Sequence, residues 1–335
     1  MCLTAWKGMV INMKIAADSD LIRYTGRWGF ETDGAVTTAP GGMIELMFEG
    51  SSCVLLFDTT MNMQPFPHLW IRVDNGARIE TVSERVIRLE TEESGRHCVE
   101  IIYKGGVEIQ HRWYPPLIGK IKFLGAEAEA FLMMPEDRRE VIEFIGDSIT
   151  EGVLIDADRR FDEFDQFNRP YQDDCTATYA WLTAQKLGMK PVIFGYGAVG
   201  VTKGGCGSVP KAAEAYPYNF FGNEAKNNHP RMIVINYGAN DKGASAEKYV
   251  QEYKSFLELV RAKNPNAAIV VLSAFYGVYP DELKAMVESY NKENNDGIHF
   301  IDSAGWVPRE PLHPLRDGHK KISERLYPEL KKLLY

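Results

Sequence analysis

The 335-residue sequence lacks any apolar run near the ~20 residues that a membrane-spanning helix needs. No transmembrane helix is therefore expected. Positive charge is not in excess: the net charge is -8 and the pI about 5.5. That balance lacks the basic footprint of proteins that hold nucleic acid or an anionic membrane surface, and neither is expected as a partner. Cysteine is scarce and scattered, with five residues at positions 2, 53, 98, 175 and 206 and no CxxC pair. This argues against a disulfide framework and against a zinc ribbon, and leaves free thiols as the expectation. The histidines likewise show no metal-ligand spacing, so no metal and no other cofactor is expected. Repeats and low-complexity segments are missing too. Residues 1–13 are mildly apolar but interrupted by Lys7, with no clear cleavage site, and are not read as an intact signal peptide. Compartment and oligomeric state stay open. What remains, 45% hydrophobic and 25% charged residues, is the balance of a globular chain.

Two halves differ in period. From about residue 14 to 130 the pattern is short alternating runs. Ile44, Leu46 and Phe48 alternate with their neighbours, as do Leu69, Ile71 and Val73 before the Asn75-Gly76 turn signal. Further strands are expected at 53–57, 99–103, 107–113 and 120–124. Many short strands with turns between them predict a β-sandwich of jelly-roll type over residues 1–135. A polar stretch at 134–139 reads as a linker. Over residues 136–335, apolar strands at 141–145, 191–194, 232–236, 268–273 and 298–301 alternate with helical patterns at 176–187, 245–263, 280–291 and 316–332. That alternation predicts an α/β domain, a parallel sheet with helices on both faces.

In such sheets the strand exits converge on one edge, where ligands bind. Four exits carry chemistry. Gly146-Asp147-Ser148 follows the first strand and puts a hydroxyl at the sheet edge. Gly195 to Gly200 follows the second, Gly238-Ala239-Asn240-Asp241 the third, and Glu310-Pro311-Leu312-His313-Pro314 precedes the last helix. A serine hydroxyl is a weak nucleophile until a base takes its proton, and His313 is the candidate base. Ester attack puts charge on oxygen, which fixed N–H donors must meet. The backbone N–H groups of Ser148 and Gly200 and the side-chain amide of Asn240 are the candidates. Glu310, three residues before His313, is the candidate to orient the imidazole. The glycines at 195, 197 and 200 also fit GxGxxG, but no acidic residue at the right distance closes a dinucleotide-binding unit.

The ordered set Gly146-Asp147-Ser148, Gly200, Gly238-Ala239-Asn240-Asp241 and His313-Pro314 resembles the SGNH (GDSL-type) hydrolases, over about residues 140–335. The resemblance implies a flavodoxin-like hydrolase fold, Ser148 as nucleophile, Gly200 and Asn240 in the oxyanion hole, and His313 as base. That family usually has Asp where this chain has Glu310, which leaves a Ser–His dyad as the alternative to a triad. A β-sandwich ahead of such a domain is similar to carbohydrate esterase family 2. Gly26-Arg27, Pro40 to Glu45 and Phe48 to Ser51 carry that looser likeness. It implies a serine esterase removing O-acetyl groups from an acylated carbohydrate, secreted or periplasmic. Asp147, Tyr276 and Trp306 are expected at the substrate, with the aromatic segment 159–171 (Phe161, Phe164, Phe167, Tyr171) as a cleft wall. A lipase, thioesterase or lysophospholipase of the same superfamily, and a non-catalytic carbohydrate-binding protein, remain as alternatives.

Overall fold

The computed structural model describes residues 12–157 and 169–334 of the chain. The first half forms nine strands: β1 (Met13–Ala16), β2 (Ile22–Thr25), β3 (Gly29–Glu31), β4 (Gly34–Thr37), β5 (Met43–Phe57), β6 (His68–Val73), β7 (Ile79–Val82), β8 (Val86–Gly105) and β9 (Ile121–Leu132). They make one antiparallel sheet in the order β3-β4-β9-β5-β8-β6-β7, with β1 on β9 and β2 on β5. Strand β5 alternates buried and open positions on either side of a register shift at Gly50/Ser52. Ile44, Leu46 and Phe48 before the shift, and Cys53, Leu55 and Phe57 after it, enter the same core. Both halves of one long strand can share a core only if the sheet bends over itself.

The expected strand at 107–113 does not form. Val107 and Trp113 are buried, but Ile109 is 65% exposed and no ladder pairs the segment. It is a loop between β8 and β9 whose Glu108 and Arg112 bond to the other half of the molecule.

The second half carries the parallel sheet. Its strands β10 (Val141–Gly146), β11 (Lys190–Gly195), β14 (Met232–Asn236), β15 (Ala268–Leu272) and β16 (His299–Ile301) lie in the order β11-β10-β14-β15-β16. A small antiparallel pair, β12 (Tyr218–Phe220) and β13 (Asn223–Glu224), stands apart. Counted within the parallel sheet, the order is 2-1-3-4-5, the doubly wound flavodoxin-like topology.

Among the described residues, seven α-helices accompany it: α1 (Ser148–Glu151), α2 (Arg169–Gln172), α3 (Tyr179–Leu187), α4 (Ala212–Ala215), α5 (Ala246–Lys263), α6 (Pro280–Asn294) and α7 (Arg316–Leu334). Both sheet faces are covered. In β14, Ile233 and Ile235 pack with Tyr253 and Phe256 of α5 and Leu283 of α6. Met232 and Val234 point the other way, toward Trp181 of α3 and Ile322 and Leu326 of α7. The buried stripe of α5 (Tyr249, Tyr253, Phe256, Leu257, Val260) follows the helical period, and Ser245 caps its first turn by accepting the Lys248 N–H at 3.3 Å.

Buried ion pairs join the two sheets. Arg27 donates to Glu143 of β10 at 2.7 Å, and Arg112 pairs with Glu151 of α1.

Candidate active site

The chain reverses its winding direction at β10, whose neighbours are β11 on one side and β14 on the other. The crevice beyond the carboxyl ends of these three strands is the topological switch point, where doubly wound proteins bind ligands. Ser148, Ala198 and Asn240 all stand there, on the loops leaving β10, β11 and β14.

Ser148 is the first residue of α1. Asp147 caps the helix, its Oδ1 accepting the Ile149 N–H at 3.0 Å. The turn from strand to helix is tight. A Cβ on Gly146 would lie 2.2 Å from Thr150 Oγ1 and 3.0 Å from the Asn236 carbonyl, so only glycine fits. As the first residue of a helix, Ser148 has a backbone N–H that no intrahelical carbonyl can accept, and it faces the same end as the hydroxyl.

His313 arrives on the loop before α7. Its Nε2 stands 2.9 Å from Ser148 Oγ. The loop is held from three sides. Tyr276 donates its hydroxyl to the Leu312 carbonyl. Arg316 holds Asp156 at 2.5 and 2.6 Å and Asp174 at 2.9 Å. The buried His319 accepts the Tyr179 N–H on Nδ1 at 3.0 Å. Burial pushes the His319 pKa down to about 3, so this ring stays neutral. Burial also lowers the pKa of His313 below 6.5. The charge of Glu108 opposes that shift and that of Arg169 adds to it.

Asn240 donates from Nδ2 to the Val199 carbonyl at 3.1 Å and to Asp147 Oδ2 at 3.2 Å. Its amide is thereby aimed from the third strand exit at the first. The buried Asp147 is pushed up to about 7, chiefly by desolvation. With both oxygens accepting, it positions Asn240 and α1, and it also lines the crevice where a substrate role was expected of it.

Gly200 differs from expectation as well. Its N–H donates to the Lys203 carbonyl at 3.0 Å and is committed to a turn. Glycine is required there for another reason: a Cβ would lie 2.5 Å from Asp241 Oδ1. Asp241 itself ties down the loop by accepting the Thr202 N–H at 2.8 Å and the Thr202 hydroxyl at 2.6 Å. The residue of this loop that lines the crevice is Ala198.

Glu310 is exposed, and among the described residues no hydrogen bond joins it to His313. The offset of three residues does not bring its carboxylate onto the imidazole, because the intervening Pro311 and Leu312 run along the surface. Trp306 is half-buried against the α3/α7 side of the core, with the Arg325 guanidinium 6.0 Å from its ring centroid, and it does not line the crevice. Tyr276 does line it. Phe161, Phe164 and Phe167 lie outside the described residues. Tyr171 packs edge-on against His68, with ring centroids 4.3 Å apart.

Two lining residues lie outside the motifs read from the sequence, Cys206 and Glu108. Leu312, 58% exposed, was legible as the residue before the histidine. Glu108 had no signal, because it comes from the antiparallel half. Among the described residues, no cluster of His, Cys, Asp and Glu has the make-up of a metal site, and no helix is long and apolar enough to cross a membrane.

Comparison with known proteins shows the family and the fold. The model of the GDSL-like lipase/acylhydrolase family matches residues 144–321. No significant match was found among curated proteins. Among solved structures, the chain is similar to a family two carbohydrate esterase from Cellvibrio japonicus, with 19% identity, 96% of this chain and 97% of that chain covered, and a TM-score of 0.80. It is also similar to a family two carbohydrate esterase from Clostridium thermocellum in complex with cellohexaose (22% identity, 93% and 99% covered, TM-score 0.76). A third is an acetyl xylan esterase from the rumen bacterium Butyrivibrio proteoclasticus (21% identity, 96% and 98% covered, TM-score 0.77). Each likeness runs through both halves and establishes the shared fold.

Proposed function

The chain belongs to the GDSL-like lipase/acylhydrolase family, and on that premise we propose that it is a serine esterase removing short acyl groups, above all acetyl, from carbohydrate hydroxyls. The observation that carries the reading is the 2.9 Å contact between Ser148 Oγ and His313 Nε2 at the switch point of the sheet.

His313 is neutral near pH 7 and accepts the Ser148 proton as Oγ attacks the ester carbonyl. Negative charge gathers on the carbonyl oxygen. The N–H of Ser148, without a partner among the described residues, meets it directly, and the Asn240 amide joins by giving up one of its two hydrogen bonds, to Asp147 Oδ2 or to the Val199 carbonyl. Collapse of the tetrahedral intermediate expels the sugar alkoxide, which takes the proton back from His313. An acyl-Ser148 ester remains. Water, deprotonated by His313, attacks that ester and releases the carboxylic acid, and the proton returns to Oγ. In this account His313 works without a carboxylate on its other nitrogen, as a dyad. Gly200 supports the loop and is not a donor.

The size of the site supports a short acyl group. The crevice holds about 230 Å³, and its apolar lining includes the small side chains of Ala198 and Ala239 beside Ile149. The acetyl xylan esterase and the cellohexaose complex among similar structures support a carbohydrate as the alcohol half. The test is acetate release from acetylated xylan and mannan, beside p-nitrophenyl esters of increasing chain length. Acetyl esters are expected to be cleaved fastest. A kcat/KM that climbs steadily to octanoyl would replace this reading with a lipase or thioesterase.

A further inference from the structure

We infer that Glu108, on the loop between β8 and β9 of the antiparallel sheet, is a specificity residue of the crevice that accepts hydrogen bonds from hydroxyls on the alcohol half of the ester. The inference rests on the proposed carbohydrate reading and deepens it.

Glu108 lines the same crevice as Ser148 and His313. Its side chain is 17% exposed, enough to meet a ligand and too little to move freely. Oε1 accepts from Arg169 Nη2 at 3.1 Å, and Arg169 Nε is held by Asp173 at 3.1 Å. The loop is fixed on both sides of Glu108. Upstream, the buried Lys104 donates to the carbonyls of Pro170 and Asp173 at 2.8 and 2.6 Å. Downstream, Arg112 pairs with Glu151 in the helix that Ser148 begins. Gly197 makes room for the carboxylate, since a Cβ there would lie 2.0 Å from Glu108 Oε2. The group is preorganised, which a recognition residue needs.

A sugar hydroxyl in the crevice needs an acceptor. Asp147 already accepts from Ile149 and Asn240, and the Tyr276 hydroxyl, which donates to the Leu312 carbonyl, offers only the lone pairs of a neutral oxygen. A carboxylate offers about four lone-pair sites, and Arg169 is the single side-chain donor seen on Glu108 among the described residues. Glu108 therefore keeps more charged acceptor capacity than Asp147 or Tyr276. Its negative charge also disfavours an anionic substrate and suits a neutral polyol. A role in tuning the base is secondary, because Glu108 and its partner Arg169 act on His313 with opposite signs.

The discriminating variant is Glu108→Gln. The amide oxygen can still accept from Arg169, so the fold is expected to hold, checked by thermal unfolding. On acetylated xylo- and cello-oligosaccharides, kcat/KM is expected to fall about 10- to 100-fold, the worth of hydrogen bonds to a charged group. On p-nitrophenyl acetate, which has no hydroxyls, the loss read on the pH plateau of each enzyme should be smaller, so that the ratio of the two kcat/KM values shifts about 10-fold or more. Glu108→Asp keeps the charge, retracts it by one methylene and should fall between. If Glu108→Gln does not fold, the same comparison is made with Glu108→Asp. Equal losses on both substrates would overturn the inference in favour of a structural role, as would no loss on either. Wild-type protein that hydrolyses p-nitrophenyl acetate but no acetylated glycan would overturn the carbohydrate reading and this inference together. Wild-type activity on glycans with parallel losses would overturn this inference alone.

Discussion

Replacing Glu310 by Gln separates two accounts of the base. In a Ser–His–acid triad, a buried carboxylate bonded to Nδ1 holds the ring and stabilises the imidazolium, and removing its charge costs about 10⁴ in turnover. The structure predicts nothing of that size here. Glu310 is exposed, it makes no hydrogen bond to His313 among the described residues, and the charges that act on the imidazole are those of Glu108 and Arg169. An exposed charge with no contact to the ring acts through water of high dielectric constant and is weakened further by salt, whose screening length is about 10 Å at 0.1 M. The expected fall in kcat/KM is therefore below about threefold, of the order that exposed ion pairs contribute. The assay is steady-state hydrolysis of p-nitrophenyl acetate at fixed pH and 0.1 M salt, with Glu310→Asp as a control for geometry. Both variants should behave like the wild type. A loss above about 100-fold for Gln with substantial recovery for Asp would refute the reasoning. It would mean that the loop swings Glu310 onto His313 when substrate binds.

Ser148→Ala is expected to abolish ester hydrolysis while leaving the melting temperature near that of the wild type, because the Asp147 cap, the Arg112–Glu151 pair and the β10–α1 turn do not use the hydroxyl. Near wild-type turnover in the folded variant would end the serine mechanism. The pH profile follows from the buried histidine. Its pKa is lowered, so the neutral base persists as pH falls through 6.5, and the acid limb of kcat/KM should have its midpoint below 6.5. A midpoint at or above 6.5 would mean that a carboxylate reaches the ring.

The strand exits and their four motifs were legible in the sequence because each is local. A core strand followed by Gly-Asp-Ser constrains a turn of a few residues, and the turn aims the hydroxyl. The period of the second half fixed the parallel sheet for the same reason: β14 alternates its side chains between two helical layers, and neighbouring residues alone reveal that. What was not legible depends on direction in space. Glu310 has the right offset from His313, but offset does not determine which way a surface loop points its side chains. Gly200 carries the right residue type, yet its N–H turns to Lys203 and its missing side chain makes room for Asp241. The segment 107–113 alternates apolar and polar residues as a strand does. Glu108 and Arg112 face buried partners in the other half, and the backbone leaves the ladder to let them.

That loop bears on how far the chain can be divided. A boundary near residue 135 is our proposal from composition, and four of the most buried polar contacts cross it. Arg27 reaches Glu143 in the first parallel strand, with both side chains at most 5% exposed. Arg112 reaches Glu151 in the helix of the nucleophile, at 1% and 2%. Lys104 reaches the carbonyls at 170–173, and Glu108 reaches Arg169. Removing one partner of a buried ion pair leaves an uncompensated charge, at a cost of about 3–5 kcal/mol. Residues 136–335 alone would leave Glu143 and Glu151 without their arginines, and the second of these lies in the turn of helix that presents Ser148. The antiparallel half is thus better described as the other wall of the site than as an appendage. It clamps α1 from below through Arg112 and, through Glu108, puts a fixed acceptor beside the reacting ester, so the arrangement that positions the nucleophile also positions the group expected to read its substrate.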